Sequence, residues 1–155
     1  MYNRTKAIEY ALKWADGRNS IYSDFTKMGG DCTNFVSQAL HAGGIEMDFT
    51  PLGWYYVNLN SRAPAWSGVN EFYNFATENT SLRGVRAKEV DINQIEEGDV
   101  VQLGDGTRFY HSLFVTNIAD NTFDGIFITA HDFDSKNRRL STYVFETARF
   151  LHILN

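Results

Sequence analysis

The chain has 155 residues, the size of one domain with a single core. With 43% hydrophobic and 21% charged residues it is globular rather than disordered, and an aromatic share of 15% can line a groove as well as fill a core. A formal net charge of −5, without a basic run or basic helix face, argues against nucleic acid or an anionic membrane as the main partner, and no stretch approaches the roughly 20 apolar residues of a membrane-inserted helix.

The first element predicted is a helix from about Arg4 to Ala15. Ile8, Ala11, Leu12 and Ala15 form its apolar stripe, Asn3 or Thr5 can cap its start, and Asp16-Gly17 can end it. Met1 to Ala15 carries charges throughout and has no apolar run, so it does not read as a signal peptide. The expectation is either a cytoplasmic protein or one domain of a longer exported chain. After a loop through Asn19, Ser20 and Tyr22, Gly29-Gly30-Asp31 leads into a second helix, Cys32 to about Ala42. Asp31 is placed as its N-cap, Phe35, Val36, Ala39 and Leu40 as its buried face, and Gly43-Gly44 as its stop.

From Phe49 to Gly84 the chain is irregular and aromatic, with Trp54-Tyr55-Tyr56, Trp66 and Phe72-Tyr73, and a short helix over Val69 to Glu78. Strands follow at Val100–Leu103, Tyr110–Asn117, Gly125–His131, Leu140–Phe145 and Arg149–Leu154. The turns between them are Gly104-Asp105-Gly106, Asp120-Asn121 and Ser135-Lys136-Asn137. Helices first and strands afterwards predict one α+β domain over 1–155, with N-terminal helices packed on a roughly five-stranded antiparallel sheet.

The one cysteine excludes an internal disulfide. Cys32 falls at the first turn of its helix, where unpaired N–H groups and the macrodipole favour a thiolate and can hold a developing oxyanion. The alternative is a small buried core residue. A catalytic thiol also needs a base. His41 lies at the far end of the same helix, roughly 13 Å away, and suits a helix C-terminus. His152 reads as an ordinary strand residue. His111 begins a strand on the face it shares with Leu113 and Val115, and it points to the Cys32 helix if that face carries the helices. His131 ends the next strand, and a hairpin about Asp120-Asn121 would bring it beside His111 as the group that orients the base. Asp132 is its rival for that place. Cys32, His111 and His131 thus form a candidate nucleophile–base–orienter set. No metal is expected: a lone Cys with two His falls short of a zinc site, and Asp132, Asp134 and Ser135 lack the closing Glu of a calcium loop. No cofactor is expected either.

Asp31-Cys-Thr-Asn-Phe-Val-Ser-Gln-Ala-Leu40 followed by Gly43-Gly44 resembles the nucleophile motif of the putative amidase domain of Gram-positive bacteria. That domain is similar to the papain-like NlpC-type cell-wall endopeptidases and CHAP (cysteine, histidine-dependent amidohydrolase/peptidase) domains. Asn3-Arg4 with Ala7 and Tyr10-Ala11, Trp54-Tyr55-Tyr56 with Ser61, Glu97-Gly98-Asp99-Val100, and His111-Ser112 extend the likeness over nearly the whole chain. The resemblance implies a papain-like fold and a Cys-His-polar triad on Cys32, His111 and His131. It also implies Tyr22 beside the thiol as a helper of the oxyanion site, and Asp31 as a holder of a free substrate amine. The aromatic segment with Trp54, Tyr55 and Tyr56 reads either as a wall of the groove, where Trp54 and Tyr55 would touch substrate, or as peripheral core packing. The implied reaction is hydrolysis of amide or peptide bonds in peptidoglycan stem peptides through a thioester, in the cell envelope or outside the cell. A catalytically silent peptide-binding module and an acyltransferase are the other readings of the same scaffold. The Asn at position 34 departs from the glycine common in NlpC-type motifs, and the interval from His111 to His131 is longer than in compact members of that group.

Overall fold

A computed structural model describes residues 1–155. Helix α1 (Arg4–Lys13) starts where the Asn3 side chain accepts from the Lys6 N–H at 3.0 Å. It buries Ala7 and Ala11, whose small side chains allow a close approach to the next helix. Helix α2 (Cys32–Ala42) is buried at every position from Cys32 to Leu40. It therefore runs through the interior instead of lying on it, which is the environment an all-round apolar or internally satisfied helix requires. A small hairpin of β1 (Tyr56–Asn58) and β2 (Ser61–Arg62), a single turn α3 (Pro64–Ser67) and helix α4 (Val69–Glu78) cover its other side. No helix is long and apolar enough to cross a membrane.

The remaining strands are β3 (Ala87–Val90), β4 (Val100–Gly104), β5 (Phe109–Ile118), β6 (Ile126–Ala130), β7 (Ser135–Arg139) and β8 (Thr147–Ile153). They form one antiparallel sheet in the order β3-β8-β4-β5-β6-β7. The α+β, antiparallel architecture is as expected, with one strand more and one displaced. Ser135-Lys136-Asn137, expected as a turn, begins the edge strand β7 (Ser135–Arg139). Leu140–Phe145, expected as a strand, is a 3-10 turn over Leu140–Thr142 and unpaired chain. Edge strands face water on one side, so their composition is turn-like and polar, as in Ser-Lys-Asn-Arg-Arg and Ala-Lys-Glu-Val.

The sheet has a core on each face. Val100, Phe114, Leu151 and Ile153 pack with Phe35, Val36 and Leu40 of α2 and with Trp54, Trp66 and Phe72. Val101, Leu103, Leu113, Val115, Ile126, Ile128 and Phe150 form the second core on the opposite face. Leu113 and Val115 thus turn away from the helices, and Phe114 faces them. The strand alternation stands, but the face expected to carry the helices is the other one.

Both chain termini are tied to the β4 approach. Asp99 is fully buried, and its carboxylate accepts from Arg4 Nη1 (2.7 Å), His152 Nδ1 (2.9 Å) and the N–H groups of Glu96 and Ile153. Tyr2 donates to the Gly98 carbonyl at 2.7 Å. His152 is therefore part of a buried polar anchor. His41, in the last turn of α2, is bonded to the chain that leaves the helix, with Nδ1 2.8 Å from the Ile45 carbonyl.

Candidate active site

Cys32 is the first residue of α2, and its backbone N–H makes no hydrogen bond within the protein, as the first turn of a helix dictates. The thiol lies at the floor of a cleft of about 210 Å³ that it shares with His111, Asp132, Gly29, Gly30, Tyr110 and Phe133. Only 7% of Cys32 is exposed, enough to open onto that cleft and no more. His111 reaches it from the start of β5, next to a bulge where two β5 steps oppose one β4 step, from Leu103↔His111 to Gly104↔Phe109. Such bulges re-aim side chains at sheet ends.

A buried polar chain fixes nucleophile and base relative to each other. Thr33 Oγ1, next to Cys32, lies 2.9 Å from Ser112 Oγ, next to His111. Gln102 Nε2 donates to Ser112 Oγ (3.1 Å) and to the Val69 carbonyl (2.9 Å), and Arg149 Nε donates to Gln102 Oε1 (2.8 Å).

Burial pushes the Cys32 thiol up, and the Asp132 charge adds to the rise; hydrogen bonds from the Ser112 N–H and from Thr33 oppose it. Burial pushes His111 down to about 4, against the pull of Asp132, and the Arg138 charge lowers it further. At neutral pH the resting pair is a thiol and a neutral imidazole. A helix start alone favours thiolate, but a dipole is worth about 1 kcal/mol, and desolvation of a nearly enclosed sulfur outweighs it here. The edge of the Tyr143 ring packs against His111 (centroids 5.8 Å apart, T-shaped), and the Arg138 guanidinium lies 3.7 Å from the Tyr143 ring on its own side.

His131 does not meet His111. It is 1% exposed, with Nδ1 2.7 Å from Asp31 Oδ2 and Nε2 2.8 Å from the Trp14 carbonyl, and its ring packs against Phe35 in a tilted arrangement with centroids 4.0 Å apart. The reason is sheet parity. Phe114 pairs with Thr129, so Thr129 and His131 share the helix face, and His111 shares the face of Leu113. Continued three residues outward, the same register sets Asp132 across from His111, and it is Asp132 that lines the cleft. Both Asp132 oxygens lie 3.0 Å from the Asp31 N–H. They have the room to do so because Gly30 has no side chain: a Cβ there would come to 3.0 Å from Asp132 Oδ2, and φ at Gly30 is +112°.

Asp31 is wholly buried and already fully engaged. One oxygen accepts from the Phe25 N–H (2.9 Å) and Asn34 Nδ2 (2.8 Å); the other takes His131 and lies 3.5 Å from Arg18 Nε. It makes no side-chain cap to α2 and offers no oxygen to a substrate amine. Asn34 completes the knot, donating to the Ser23 carbonyl and accepting from Trp66 Nε1. Trp54 is core: it has no exposed surface, and its Nε1 donates to Ser37 Oγ. Tyr22 packs against Trp66 and Tyr56 (centroids 5.9 and 5.2 Å), and Tyr55 against Phe49; neither lines the Cys32 cleft. Sequence reasoning passed over Ser112, Thr33 and Gln102. Their signal was present as polar residues at helix-facing positions of otherwise apolar elements, where a buried polar group needs a partner.

The family described as "Putative amidase domain" matches residues 1–154. The chain is 33% identical over 144 residues to "Uncharacterized protein YhbB" of Bacillus subtilis (strain 168), an alignment covering 88% of the chain and 43% of that protein. The chain thus spans less than half the length of this relative. No solved structure matches it.

Proposed function

The chain belongs to the putative amidase domain family, and from that premise we propose that it is a cysteine-dependent amide hydrolase of papain-like design, acting on peptide bonds of peptidoglycan fragments in the cell envelope or outside the cell. The observation that carries this reading is that Cys32, His111 and Asp132 open onto one cleft at the start of α2. The roles follow from their chemistry. His111, neutral at rest, removes the thiol proton as Cys32 attacks the carbonyl carbon. Thiolate is formed during attack rather than stored, as the raised thiol and lowered imidazole favour. The unpaired Cys32 N–H is free to hold the oxyanion. Imidazolium then forms beside Asp132, whose charge favours it, and gives its proton to the leaving amine. Water cleaves the thioester in a second cycle with His111 again as base.

In this reading Asp132 is the third member, as a charge partner of His111. His131 and Asp31 brace the start of α2 from behind. The reading is tested by incubating purified muropeptides with the wild type, Cys32→Ala and His111→Ala and following new amines by mass spectrometry. The expected result is amine release by the wild type alone, with a thioester adduct on Cys32 trapped by acid quench. Equal release by Cys32→Ala would overturn it. Transfer to an added amine in place of water would reassign it as an acyltransferase.

A further inference from the structure

We propose that Phe133, together with Tyr110, forms an apolar subsite at the mouth of the Cys32 cleft that receives the apolar part, a methyl or a methylene stem, of the residue beside the scissile amide. The inference rests on the hydrolase reading for the word substrate, but not for the existence of the subsite.

The residues on each side of Phe133 are pinned. His131 is held by Asp31 and Trp14, and Asp132 by the Asp31 N–H. Asp134 takes both terminal nitrogens of Arg18, at 2.9 and 3.0 Å. The Ser135 hydroxyl donates to the Phe133 carbonyl at 2.9 Å. Out of this fixed segment the Phe133 ring projects 93% exposed. Its backbone has φ +51°, a left-handed conformation that is an outlier for a bulky residue. A large aromatic in water, in a backbone state that Gly or Asn would adopt with less strain, opposes both burial and local preference. Rigid presentation of an uncovered ring on the rim of a reactive cleft resolves that conflict if a ligand covers it.

Tyr110 supplies the second surface. It lines the same cleft with 40% of its surface exposed, and its hydroxyl lies 3.4 Å from the Val144 carbonyl, which ties the ring to the rim. Gly29 and Gly30 leave room between the walls, and Asp132 is the one formally charged side chain among the lining residues. The cleft therefore suits a chain that sets methyl or methylene groups against the rim and an uncharged or cationic group nearest Asp132.

The test uses thiol reagents and needs no turnover. Cys32 is labelled by benzyl and by methyl methanethiosulfonate, each rate divided by that of the same reagent with N-acetylcysteine. In the wild type the benzyl reagent is expected to be favoured by about fivefold, the size of one aromatic pair contact. Phe133→Gly, which suits the local φ and removes a ring that stabilises nothing inside the fold, should bring the ratio to about one, and Phe133→Leu should keep part of it. A wild-type ratio near one, or the wild-type ratio retained in Phe133→Gly, would overturn the subsite. Amine release from muropeptides decides the hydrolase reading separately, because the labelling ratio stands or falls without it.

Discussion

Thr33 and Ser112, which come from the central helix and the central strand, place their hydroxyl oxygens 2.9 Å apart in the interior. Each is the chain neighbour of one reactive residue, and Thr33 Oγ1 also lies 3.8 Å from the Cys32 sulfur, so this contact helps set the distance between thiol and imidazole. Both hydroxyls are fully buried, and removing one leaves the other with a lost partner, at a cost of about 1–3 kcal/mol.

Thr33→Val is therefore expected to lower stability by that amount in urea unfolding. It should also reduce kcat for amide cleavage by about tenfold or more while KM changes little, because geometry at the reacting atoms is what is loosened. Ser112→Ala should do the same, and the double variant should cost less than the two single changes added together.

Asp31 and His131 meet at 2.7 Å with side chains 1% exposed. Removing one member of such a buried pair strands the other, which costs about 3–5 kcal/mol. Asp31→Ala is expected to lose most of the cooperative unfolding transition at 37 °C by circular dichroism. His131→Ala should be destabilised by a similar amount, yet any folded fraction at low temperature should still label at Cys32. Loss of labelling with full retention of stability in His131→Ala would instead restore His131 to the reacting set.

His111 sits near 4 in the folded protein and near 6.5 when unfolded. Between those values the unfolded chain binds more protons, so stability rises with pH across the window and is lost on acidification from about pH 6.5 to about 4. With His111 mostly enclosed, that loss is roughly 2–3 kcal/mol. Urea midpoints of the wild type and His111→Gln should converge as pH falls through this range. In the same window the acid limb of kcat/KM should lie near pH 4, since the base is already neutral above it. Arg138→Gln removes a charge that lowers His111 and should move that limb upward.

Asp132→Asn keeps the shape of the cleft and removes its one formal charge among the lining residues. With less support for the imidazolium, kcat should fall by about tenfold to a hundredfold and the acid limb should move lower still. An unchanged rate would remove Asp132 from the mechanism.

Much of the local structure was legible because local signals were strong. Asp31 ahead of Cys32 and the Gly43-Gly44 stop bracket α2 correctly, and Val69–Glu78 is helical as its pattern requires. The positions of Cys32 and His111 at element starts were likewise visible. What failed depended on parity and on distant partners. Which face of β5 carries the helices and which register the β5–β6 hairpin takes are tertiary choices, and a register about one residue off set His131 instead of Asp132 beside His111. Asp31 carries the signature of a cap or a substrate ligand, but its partner arrives from a hundred residues away. Trp54 was assigned to a groove because aromatics outside regular elements serve packing and binding alike, and only the fold distinguishes them.

Gly30 has a consequence for how this site tolerates change. The acidic group next to the base stands where a methyl would otherwise intrude, so part of the constellation is written as vacant space. A substitution there would alter the reaction centre while leaving every one of its functional side chains unmutated.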